Sequence, residues 1–73
     1  MQFPVYRKYS NNKVFFKVIS KEAFDETTLI GSKTVLQHIK ATTYAEKLFI
    51  MDMIEMREGN WLESSEEEFD NSL

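Results

Sequence analysis

The sequence predicts a small α+β domain that is mostly antiparallel β. About six strands run as a meander or a partly closed small barrel, with a short helical turn and a C-terminal helix. Three observations lead there. Runs rich in aromatic and β-branched residues alternate with turn residues suited to hairpins, Asn11-Asn12 and Gly31-Ser32. The 73 residues leave room for one core, so residues 1–73 read as a single domain. Six Phe, three Tyr and one Trp supply large side chains to fill it.

Taken in order, residues 3–9 and 14–19 form the first hairpin. Asn tolerates the positive φ that a tight loop at Asn11-Asn12 demands. That loop sets Val5 opposite Val18, Arg7 opposite Phe16 and Tyr9 opposite Val14. One face then carries Phe3, Val5, Tyr9, Val14, Phe16 and Val18 and becomes the core side, with Arg7 as its single exception. The other carries Tyr6, Lys8, Phe15, Lys17 and Ile19.

Ser20 is placed to cap a short helical turn over residues 21–25. TTLI (27–30) is β-prone, and Gly31 at the first turn position predicts a type II′ hairpin into TVLQHIKA (34–41).

Signals conflict over residues 44–58. Composition favours a helix, Thr43 with Glu46 makes a capping box, and Gly59 stands where a helix would stop. On a helical wheel, however, Glu46, Asp52 and Glu55 fall among apolar residues and leave no polar face. As a strand, Leu48, Ile50, Ile54 and Met56 line one side and Phe49, Met51 and Met53 the other, which suits an inner strand. The strand is the reading adopted, and a four-stranded sheet packed by a helix at 44–57 is the alternative. The strand register sets Ile39 against Ile50 and Gln37 against Asp52, a possible buried polar pair.

Beyond a turn at residues 57–60, residues 61–63 form a short last strand. Ser65 with Glu68 then makes a capping box for the C-terminal helix, and residues 70–73 are expected to fray. SEEEFD (65–70) echoes SKEAFD (20–25): a serine cap, acids, then Phe on the fourth residue after the serine. The echo predicts one local structure built twice, a capped helical turn held down by its Phe.

Charge is uneven. Residues 1–40 hold seven Lys/Arg against three acids, a net +4, and residues 41–73 hold two against nine, a net −7. The absence of cysteine excludes disulfides and thiolate chemistry. With one histidine, His38, and no spaced Asp/Asn/Gly loop, neither a metal nor another cofactor is expected. The N-terminus lacks a signal-peptide pattern, and no apolar run approaches the ~18 residues of a membrane span. A cytoplasmic setting is the default expectation.

Tyr6, Lys8, Phe15 and Lys17 interleave aromatic and basic side chains, the combination that stacks bases and neutralises phosphates on single-stranded nucleic acid. Ordinary cross-strand aromatic–lysine pairing gives the same pattern. The acidic run Glu63, Glu66, Glu67, Glu68 and Asp70 could meet a basic partner or fold over the chain's own lysine-rich hairpin. Asp52 and His38 are the only candidates for catalysis, and the strand register puts them on opposite faces. Together these features predict a non-enzymatic protein-interaction module, self-association included, with single-stranded nucleic-acid binding as the alternative.

Overall fold

The structure, a computed structural model, describes residues 2–56 and 61–73. In chain order the elements are β1 (Val5–Lys8), β2 (Val14–Ser20), β3 (Ala23–Ile30), β4 (Lys33–Lys40), α1 (Tyr44–Glu55), β5 (Leu62–Glu63) and α2 (Glu66–Ser72). The strands form one antiparallel five-stranded sheet in the order β4-β3-β2-β1-β5, open at both edges rather than closed into a barrel. The α+β class holds, with five strands in place of about six.

The first hairpin has the register its sequence predicts, with Val5 opposite Val18, Tyr6 opposite Lys17, Arg7 opposite Phe16 and Lys8 opposite Phe15. Its loop is wider than two residues. The Tyr9 and Val14 backbones bond across it, Asn12 takes φ +57°, and the Asn11 side chain accepts the Lys13 N–H. The β3–β4 turn also follows expectation. Gly31 alone carries positive φ (+62°), as a type II′ turn requires, between Ile30 and Lys33.

Two local assignments are corrected. Residues 21–25 form no helical turn. Lys21-Glu22 is a tight turn in which the Ser20 hydroxyl accepts the Glu22 N–H, and β3 starts at Ala23. Residues 44–55 form a helix, not an inner strand. Thr43 caps the Glu46 N–H while the Glu46 carboxylate returns to the Thr43 N–H, completing the capping box. The helix ends on Met56 in the left-handed region, and the expected turn at 57–60 with its Gly59 stop lies outside the described residues.

The α1 side of the sheet holds the core. Phe16, Val18 and Phe24 are buried there against Ile50, Met53 and Ile54 of α1, together with Trp61 and Ala41. The helix residues recur at i, i+3 and i+4, one turn apart on one face. Rings dominate this layer. Tyr9 stacks on Trp61 at 4.9 Å and 16°, and both meet Phe16 edge-on at 5.3 Å. Phe49 closes the cluster against Phe16, Phe24 and Trp61. The opposite side of the sheet carries α2, so the sheet lies between two helices of unequal length.

Candidate functional site

Alternation along β1 and β2 puts Tyr6, Lys8, Phe15 and Lys17 on the face opposite the core. The register brings them together, and α2 lies against Tyr6 and Lys8. The Tyr6 ring packs on Phe69 at 6.0 Å, and the Lys8 ammonium donates to Glu68 Oε2 at 2.8 Å. Ser64 donates to the other oxygen of Glu68 at 2.9 Å. These two donors, Lys8 foremost, hold the Glu68 carboxyl below the usual glutamate range. Helix α2 therefore folds over the chain's own hairpin, with Glu68 as the acid that meets its lysine.

The Ser65 capping box is only half made. Ser65 Oγ accepts the Glu68 N–H, but the Glu68 carboxylate is committed to Lys8 and Ser64 instead of returning to Ser65. At its far end α2 is tied to the sheet. Ser72 Oγ donates to the Phe69 carbonyl at 2.6 Å and lies 2.7 Å from the buried Thr27 hydroxyl. Residues 70–72 thus belong to the helix.

The remaining sequence candidates separate. Gln37 is exposed on β4 opposite Glu26, and Asp52 lies on α1, so the strand register that paired them does not form. His38 shares the α2 side of the sheet with Asp25 and touches it through Nδ1, away from Asp52. Glu63 stands opposite Arg7 in the β1–β5 pair, while Glu66, Glu67 and Asp70 face solvent on α2. Met53 is fully buried and Phe49 is part of the ring cluster, so both belong to the core layer. No cluster of metal-ligating side chains occurs among the described residues.

Two features were not anticipated. Arg7, the exception on the core face, donates through Nε to the Met53 carbonyl at 2.8 Å and makes a longer contact to Ile54 at 3.4 Å. It caps α1, which has no basic residue in its own last turn. Burial pulls the guanidinium below its ordinary value, with Glu63 pulling the other way. The second feature is the β4 edge. Among the described residues β4 pairs only with β3, and seven of its eight residues are exposed. Leu29, Ile30, Val35 and Leu36 at that hairpin's tip are 44, 62, 40 and 55% exposed, on both faces of the sheet.

No protein-family model, curated protein or solved structure matches the chain. No helix among the described residues is long and apolar enough to cross a membrane.

Proposed function

We propose that the protein is a non-enzymatic interaction module, in the cytoplasmic setting expected of it, which receives an extended segment of a protein partner along β4. One observation carries this reading: an eight-residue edge strand that pairs only with β3 among the described residues and leaves Val35 and Leu36 exposed. Sheet edges left open are normally shortened or studded with lysine, because their unpaired N–H and C=O groups recruit other strands. The β5 edge is shortened to two residues, whereas the lysines of β4 stand only at its ends, Lys33 and Lys40. Main-chain hydrogen bonds along such an edge give affinity, and alternate side chains give specificity.

The test is affinity capture from lysate, with and without nuclease, using the wild-type domain and a folded Val35→Lys, Leu36→Lys double variant as baits. Protein recovered by the first bait and lost with the second supports the reading. Recovery indifferent to the β4 substitutions contradicts it. Recovery abolished by nuclease would favour the nucleic-acid alternative, which requires α2 to lift from Tyr6 and Lys8.

A further inference from the structure

We infer that the strand received on β4 is β4 of a second copy, antiparallel about a two-fold axis at Gln37, so that two five-stranded sheets become one. This rests on the interaction reading above and names its partner.

The geometry of an antiparallel pair restricts the choice. Directly opposed residues point to the same face, so a symmetric pair must match core-side residues with core-side residues. On β4 the core side presents Lys33, Val35, Gln37 and Ile39, and the α2 side Thr34, Leu36, His38 and Lys40. Centring on Gln37 sets Val35 against Ile39 twice, Gln37 against itself, Leu36 against His38 and Thr34 against Lys40. Centring on Leu36 sets Val35 against Gln37 and Lys33 against Ile39, placing apolar beside polar four times for one Leu–Leu contact. Centring on His38 opposes two histidines and pairs Leu36 with Lys40. The Gln37 centre alone sets two apolar β-branched side chains, Val35 and Ile39, against each other on both sides of its axis, where each covers apolar surface of the other.

Backbone and charge agree. The type II′ turn closes Ile30 on Lys33, so the N–H and C=O groups of Lys33, Val35, Gln37 and Ile39 turn toward β3. Those of Thr34, Leu36, His38 and Lys40 turn outward, and in the Gln37 register these four meet one another. Lys33 falls opposite Ala41 and Lys40 opposite Thr34, so no lysine faces a lysine. Asp25 and Glu26 on β3, beside His38 and Gln37, offset the two lysine charges of each copy.

The natural absence of cysteine makes the test clean. In this register Gln37 is a non-hydrogen-bonded pair with its own copy, about 4.5 Å between Cα atoms, within the ~4.4–6.8 Å span of disulfides. Gln37→Cys is therefore expected to form a disulfide dimer rapidly under mild oxidation. Leu36→Cys, two residues out of step with itself, should bridge no faster than the loop control Lys13→Cys. Sedimentation of the wild type should show a dimer growing with concentration, and Val35→Lys should remain a folded monomer. Bridging at Leu36 in preference to Gln37, or a wild type that stays monomeric throughout, would overturn the inference. In the second case, β4-dependent capture of a different protein would leave the interaction reading standing without self-pairing. No such capture would remove both.

Discussion

Arg7 on β1 reaches across the core to the last turn of α1, donating to the Met53 carbonyl at 2.8 Å, forty-six residues away in sequence. Its third contact returns to the Tyr6 carbonyl at 2.8 Å, so the side chain is held between the sheet and the helix end. A charged donor at a helix C-terminus satisfies orphan carbonyls and complements the negative end of the helix dipole. Arg7→Met is expected to destabilise the domain by about 1.5–3 kcal/mol, the range for hydrogen bonds to charged groups. Arg7→Lys should recover little, because an ammonium cannot reproduce the planar fork that reaches Met53 and Ile54 together. Urea denaturation followed by Trp61 fluorescence measures both.

The Thr27–Ser72 contact predicts unequal costs for its two halves. Ser72 gives its only hydroxyl proton to the Phe69 carbonyl, so Thr27 is the donor to Ser72. Thr27 is 1% exposed, and Ser72→Ala would leave its hydroxyl buried without that partner, at about 1–3 kcal/mol. Thr27→Val removes the donor and keeps the shape, at about 0.5–1.5 kcal/mol. Equal losses in the two variants would contradict the assignment.

Acid should loosen α2. The Glu68 carboxyl is depressed below the ordinary value of 4.5 by its bonds from Lys8 and Ser64. Above that value folded and unfolded chains both carry the charge, and the stabilisation is complete. As pH falls below it the unfolded chain takes up the proton first. The contribution shrinks and is gone once pH passes the folded value. Urea midpoints between about pH 6 and pH 2 should therefore fall less steeply in Glu68→Gln than in the wild type. Glu46, depressed by the backbone N–H of Thr42 and by Thr43, adds to the slope in both proteins.

Gly31→Ala isolates a backbone effect. A Cβ at this position would meet no atom within 4 Å, yet φ is +62°. The expected loss is about 1–3 kcal/mol, the range for an L-residue held in a sparsely populated positive-φ conformation. An unchanged urea midpoint would mean that the turn is not of the type that needs glycine.

Both well-predicted hairpins were legible because alternation and turn chemistry agree there. Only residues that tolerate positive φ stand at Asn12 and Gly31. Helix α1 was not legible from periodicity because it is apolar on both sides. Ile50, Met53 and Ile54 are buried while Tyr44 and Leu48, one turn apart, are exposed, so no polar face exists to reveal the period. The capping box of Thr43 and Glu46 was the sounder signal. The serine–acid–Phe echo misled for a related reason. After Phe24 come Thr27, Thr28 and Ile30, β-branched residues that extend into β3, whereas EEEFDNS contains none and folds as α2. Both Phe side chains are nonetheless buried.

The same error concealed the β4 edge. A strand over residues 44–58 would have paired with β4 and made it an inner strand. With those residues helical and packed on the core face, β4 becomes the border of the sheet. The Lys8–Glu68 contact was readable only as charge asymmetry, since sixty residues separate its partners and the position of α2 depends on the finished sheet.

Amide hydrogen exchange along β4 as a function of protein concentration tests the central claim most directly. The amides of Lys33, Val35, Gln37 and Ile39 bond to β3 and should be protected at every concentration. Those of Thr34, Leu36, His38 and Lys40 point outward and should exchange quickly in dilute solution, then become protected as concentration rises. Outward amides that exchange at one fast rate across the whole range would contradict pairing of β4 with a second copy.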